Sequence, residues 1–309
     1  MKILFMGTPE FAVPCLDALV KNGHQVCGVV SQPDKPAGRG HKLTPPPVKV
    51  IALENNIEVF QPETLKDYSF KSELERLNPE MIVVVAYGKI LPEYILDFPK
   101  YGCINMHASL LPKYRGAGPI QWSVINGEKV TGITSMLMEK GLDTGDMLLK
   151  CKTEIGEYET AGELHDRLKQ MGAELLLETV AKMEKGELKP EKQCDAESCY
   201  APMLSKELAK IDWSKSARVV SKLICGMNPW PVAHTEYKGG TLKIYKAQLG
   251  DRAKGSVGEI VKVDNQGIKI LCGDGNTIVA TEIQPSGSKR MQVRDYLNGH
   301  SIDIGEILK

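Results

Sequence analysis

The chain has 309 residues, 42% of them hydrophobic and 25% charged, with a formal net charge of zero. That composition excludes a disordered chain and fits a globular protein of about two domains. The strongest apolar run, residues 81–86, is far short of the roughly 18 residues of a membrane span. The eight cysteines are scattered and do not form a disulfide framework.

The neutral total hides an asymmetry. From Lys206 onward, sixteen Lys and Arg face eleven Asp and Glu, a net of +5, which leaves −5 on the rest. An ordinary solvated surface accounts for this, and so does a polyanionic partner touching the second half. Residues 1–7 run straight into a strand pattern, so no secretory or transit leader is expected. Scattered cysteines predict a reduced, cytoplasmic protein. Cys194 and Cys199 lack a second Cys/His pair nearby, and no metal site is expected.

In the first half, strand and helix signals alternate, the pattern of a mostly parallel α/β sheet. Residues 3–6 are continuously apolar, as a strand buried on both faces requires. Residues 9–20 read as a helix stopped at Asn22-Gly23. Strands are expected at 26–30, 57–60, 81–86, 103–107, 131–138 and 147–155. Thr160-Ala161-Gly162-Glu163 is a capping box. It opens a helix with Leu164, Leu168, Met171, Leu175 and Met183 on helical spacing, ending at Gly186. Polar, charged sequence predicts a linker over 189–207, between domains over 1–188 and 208–309. Beyond it, a helix over 217–225 precedes β runs at 241–245, 258–263, 267–271 and 277–283, broken by glycines as in a small barrel.

Four segments bear on chemistry. Gly7-Thr8-Pro9-Glu10 sits where a dinucleotide fingerprint would sit but has one glycine of the three needed, which disfavours a nicotinamide oxidoreductase. Residues 31–47 form the longest stretch without a strand or helix signal in the first domain. There, prolines flank Gly38-Arg39-Gly40, whose arginine suits a phosphate; a tolerated surface insertion is the alternative. Asn105 and His107, two apart on a strand, share one face at its carboxyl end, where open α/β sheets place their ligand crevice. A carboxamide beside an imidazole can stabilise an oxyanion in acyl transfer, although a structural histidine explains His107 taken alone. Asp143, in the Gly141-to-Gly145 loop, could orient that imidazole; alone it reads as turn chemistry. No G-x-S-x-G or H-E-x-x-H pattern occurs, so direct transfer without an acyl-enzyme is expected.

The run Asn105-Met106-His107-Ala108-Ser109-Leu110-Leu111-Pro112, with Leu142-Asp143-Thr144-Gly145-Asp146, resembles the formyltransferases that use 10-formyltetrahydrofolate. Pro36-Ala37-Gly38-Arg39-Gly40, Val85-Ala86-Tyr87-Gly88, Leu204-Ser205-Lys206-Glu207, Ile211-Asp212-Trp213 and Asn228-Pro229-Trp230-Pro231 extend the resemblance over both domains. They narrow it to the members of that family whose acceptor is initiator methionyl-tRNA. The resemblance implies a Rossmann-like catalytic domain and an OB-like barrel, with Asn105, His107 and Asp143 as the catalytic set. It implies a folate site at Val85, Ala86, Tyr87, Gly88, Ser109, Leu110, Leu111 and Pro112. Arg39, Lys42 and Lys206 are expected to meet the tRNA, on a monomer that needs no metal. The rival readings are formyl transfer to an amino-sugar nucleotide or to glycinamide ribonucleotide, and a non-catalytic RNA-binding protein.

Overall fold

Ile3, Leu4, Phe5 and Met6 are fully buried in β1 (Lys2–Gly7), and Met81 to Val85 form an equally buried strand. The computed structural model describes residues 1–37 and 42–309. They divide into two units: Met1–Gly116 with Gly132–Thr153 and His165–Tyr200, and Ala117–Thr131 with Glu154–Leu164 and Ala201–Lys309.

After β1 come α1 (Val13–Lys21), β2 (Gln25–Val30), β3 (Lys35–Ala37), β4 (Lys42–Thr44), α2 (Pro47–Glu54), β5 (Val59–Phe60) and α3 (Lys71–Leu77). Then follow β6 (Met81–Val85), α4 (Glu93–Leu96), β7 (Cys103–His107), α5 (Pro119–Ile125), β8 (Val130–Leu137), β9 (Met147–Glu154) and α6 (Ala161–Lys185). One sheet takes the order β5-β2-β1-β6-β7-β8-β9. The pairs from β5 to β7 are parallel, and β7 with β8 is antiparallel. The chain steps outward from β1 through β2 to β5 and then returns to β6 on the other side. The carboxyl ends of β1 and β6 therefore flank a topological switch point, the place where such sheets open a ligand crevice.

Residues 31–47 are not structureless throughout. Lys35–Ala37 pairs antiparallel with Lys42–Thr44, and Pro47 opens α2. Proline at a first helical position loses no needed N–H, so residues that read as loop stiffeners also start a helix. The expected helix over 9–20 begins as a 3-10 turn at Glu10–Ala12 before α1. The capping box forms as expected. Glu163 N–H donates to Thr160 Oγ1 at 3.2 Å, and Thr160 N–H donates to Glu163 Oε2 at 2.9 Å.

The second unit holds α7 (Ala217–Gly226), β10 (His234–Tyr237), β11 (Gly240–Arg252), β12 (Ile260–Asp264), β13 (Gly267–Leu271), β14 (Asn276–Pro285), β15 (Met291–Gln292) and α8 (Val293–Tyr296). Its sheet runs β10-β11-β14-β13-β12, with β15 on β14, and its pairs are antiparallel. β11 is far longer than the expected 241–245, because register shifts near Ile244, Ala247 and Gly250 break the alternation that sequence reading relies on. Ile244, Ile260, Ile268, Ile270, Ile278 and Ile283 form its core with Val220 and Ile224 of α7. Gly226 lets α5 approach α7, since a Cβ there would collide with the Ile125 side chain.

Candidate active site

β7 ends at the crevice and delivers two side chains of the same strand face to it. Asn105 pairs with Met136 of β8, and His107 with Thr134. Asp143 arrives from the loop between β8 and β9 with φ of 54°, a left-handed conformation that Asp tolerates better than most residues. Its Oδ1 accepts from Asn105 Nδ2 at 3.3 Å, and its Oδ2 accepts the Gly116 N–H at 2.8 Å. The same Oδ2 lies 3.6 Å from His107 Nδ1. The structure thus brings together the three residues expected to be catalytic.

His107 is buried, 5% exposed, and its ring hydrogen positions follow from its neighbours. Nε2 is 2.8 Å from the Tyr114 carbonyl oxygen, which can only accept, so Nε2 carries a hydrogen. Nδ1 consequently faces the carboxylate, and that contact is attractive when a proton resides on one of the two atoms. Asn105 engages Asp143 through one side of its amide, whose nitrogen carries two hydrogens. The group can therefore offer donors to an oxygen that gains negative charge, beside an acid–base pair.

The residues expected to line a folate pocket split by burial. Val85, Tyr87, Ser109 and Leu111 are buried, while Ala86 and Gly88 are exposed and Leu110 and Pro112 half-buried. The Ser109 hydroxyl donates to the Lys113 carbonyl at 2.7 Å. Thr134 Oγ1 donates to the Ser109 carbonyl at 2.7 Å and accepts the Leu111 N–H at 3.1 Å. These residues hold the turn after β7. Across the crevice, the Tyr87 carbonyl accepts from Thr8 Oγ1 at 3.1 Å and from Gln32 Nε2 at 2.9 Å, tying β6 to the ends of β1 and β2. Gly88 needs its glycine: its φ is 81°, and a Cβ would stand 2.6 Å from Gln32 Nε2. Burial pushes the Tyr87 phenol up to about 12, and its hydroxyl has no partner among the described residues.

Of the residues expected to meet tRNA, Arg39 lies outside the described residues, and Lys42 is placed by its backbone in β4. Lys206 is exposed in the second unit, before a 3-10 turn at Glu207–Ala209. Sequence reading missed Tyr114, Gly116, Thr134 and Gln193. Only the glycine gave a signal, as a residue able to take the φ of 113° found there. Of the stretch 189–207, the residues as far as Tyr200 belong to the first unit. Cys199 accepts the Tyr114 N–H on Sγ at 3.2 Å and the Arg115 N–H on its carbonyl at 2.9 Å. Among the described residues all eight cysteines are free thiols, no His/Cys/Asp/Glu group could hold a metal, and no helix is long and apolar enough to cross a membrane.

Residues 1–180 match the formyl transferase family, and residues 203–301 match the formyl transferase C-terminal domain. A methionyl-tRNA formyltransferase of Clostridium novyi is 54% identical over 311 residues, covering 100% of both chains. One from Alkaliphilus oremlandii is 55% identical over 309 residues, covering 100% of this chain and 99% of that one. Among solved structures, the N-formyltransferase from Helicobacter canadensis, in complex with folinic acid and dTDP-3-aminofucose, superposes with a TM-score of 0.68. It is 21% identical and covers 91% of this chain and 98% of its own, a likeness of fold.

Proposed function

The chain belongs to the formyl transferase family, and we propose that it is the enzyme that moves the formyl group of 10-formyltetrahydrofolate to the α-amino group of initiator methionyl-tRNA. The observation that carries the chemistry is the convergence of Asn105 and His107 on one carboxylate, Asp143, at the carboxyl end of β7. The acceptor reading rests on the full-length similarity to relatives named for methionyl-tRNA, second unit included.

The product is N-formylmethionyl-tRNA, for translation initiation. A free α-amino group titrates near about 7.7–8.0, so a useful fraction is neutral at physiological pH. The enzyme's share is to position that amine and to stabilise the formyl oxygen as it becomes anionic. Asn105 donates to that oxygen, with a protonated His107 beside it. Asp143 holds the imidazole and relays the proton lost by the amine towards N10 of the folate. The new C–N bond forms by addition of the amine to the formyl carbon, and the bond to N10 breaks as the oxyanion collapses and N10 takes the proton, with no acyl-enzyme and no step assigned to a metal.

In this reading the crevice takes the pterin of the folate, with the exposed Ala86 and Gly88 at one rim and the half-buried Leu110 and Pro112 at the other. Val85, Tyr87, Ser109 and Leu111 support these rims from within. In this reading residues 1–188 carry the chemistry and 189–207 connect it to 208–309. The second sheet is an OB-like barrel that holds tRNA, with Arg39, Lys42 and Lys206 as contacts, on a cytoplasmic monomer. The net +5 from Lys206 onward supports the tRNA role. The test offers charged initiator tRNA, charged elongator methionyl-tRNA and an amino-sugar nucleotide side by side with the folate donor. Formylation confined to the initiator is the expected outcome; transfer to the sugar alone would overturn the assignment.

A further inference from the structure

Asp143 is gripped through its main chain as well as its carboxylate. Gln193 Nε2 donates to the Asp143 carbonyl at 2.8 Å and to the Gly145 carbonyl at 2.8 Å, using both of its amide hydrogens. Gln193 Oε1 accepts from Arg115 Nε at 3.0 Å. Arg115 lies between Tyr114, whose carbonyl holds His107 Nε2, and Gly116, whose N–H holds Asp143 Oδ2. One half-buried side chain therefore joins the loop that carries the carboxylate to the loop that fixes the imidazole.

We propose that Gln193 is a positioning residue for formyl transfer, setting Asp143 against His107 by cross-linking the 143–145 and 114–116 loops. The inference rests on the transfer reading above. Asp143 has a left-handed backbone, which costs energy for a residue with a Cβ and persists only where neighbours hold it. The two donated hydrogen bonds seize the peptide carbonyls on either side of Thr144, so they resist relaxation of that turn. The polar sequence around Gln193 thus contributes to the site and does not merely connect domains.

The decisive variant is Gln193→Glu. It keeps the size and the acceptor for Arg115, but turns both donors into oxygens facing carbonyls. Gln193→Met removes every polar contact at similar volume. Small displacements of reacting groups cost up to about a hundredfold in rate, so kcat should fall roughly ten- to hundredfold in both variants. KM for folate and for tRNA should stay within about twofold, and the kcat–pH profile should change shape as the His107–Asp143 contact loosens. Assays run well below each variant's Tm, with circular dichroism, separate this from unfolding. A Gln193→Glu or Gln193→Met enzyme with wild-type kcat and pH profile overturns the proposal, as does a loss that appears only in KM. A wild-type chain that fails to formylate methionyl-tRNA sinks the underlying reading instead.

Discussion

His107 Nδ1 and Asp143 Oδ2 face each other at 3.6 Å, longer than a hydrogen bond, while the other ring nitrogen is held at 2.8 Å by a main-chain carbonyl. The imidazole is thus tied firmly on one side and paired loosely on the side that faces the carboxylate. If the two residues work as a unit, alanine at both should be barely worse than the poorer single replacement. Single-turnover formyl transfer by His107→Ala, Asp143→Ala and the double variant measures this. Losses that multiply would give the residues independent roles.

Asn105 is expected to act mainly in the transition state. Asn105→Ala should lower kcat by roughly 10²–10³, the usual effect of deleting one oxyanion donor. Folate and tRNA affinities should change far less. Near-normal kcat with collapsed folate binding would move Asn105 to the binding site.

Gly88 tests the backbone rim. Gly88→Ala places a methyl against Gln32 Nε2 and forces a non-glycine residue to φ of 81°. Strain of about 1–3 kcal/mol is expected, relieved by loss of the Gln32–Tyr87 bond and movement of the rim. Folate KM should rise about tenfold or more while kcat changes less. An unchanged KM would place the pterin elsewhere in the crevice.

The capping box gives a prediction on stability and its pH dependence. The Thr160 backbone N–H, followed by its hydroxyl, holds the Glu163 carboxyl below the usual range. A depressed folded value means stability that is present above the unfolded pKa and lost as pH falls through the folded one. Thr160→Ala should cost about 1 kcal/mol at neutral pH. In urea titrations, the advantage of wild type over Glu163→Gln should shrink as pH drops from about 6 towards 3, since Gln caps but does not ionise. A pH-independent difference would show that the charge contributes nothing.

Much of this architecture is legible because apolar runs and caps act locally. Ile3 to Met6 and residues 81–85 form strands in any context that buries both faces, and Thr160 with Glu163 marks a helix start by itself. Asn105 and His107 were legible through strand alternation, and Asp143 through its glycine-flanked loop. What stayed hidden depends on distant partners. β11 continues past its bulges because β14 pairs with it, and Gln193 gains its role from Asp143 and Arg115, fifty and seventy-eight residues away. No local pattern encodes either.

The last prediction separates tRNA from small amines. Phosphate contacts release counterions, so tRNA affinity should fall with salt at a slope of about −0.7 to −0.9 per phosphate neutralised. Replacing Lys206 and other basic side chains of the second unit should flatten that slope and weaken initiator and non-initiator tRNA alike. Arg39→Ala should act differently. Arg39 lies outside the described residues, so its role rests on sequence: one arginine between two glycines, on an excursion with proline shoulders. If that tip orders the acceptor end, kcat/KM for charged tRNA should drop while folate affinity holds. Both quantities are read on the same variant. Unchanged tRNA kinetics would make the tip a tolerated surface insertion, and a parallel loss of folate binding would show that it serves the crevice.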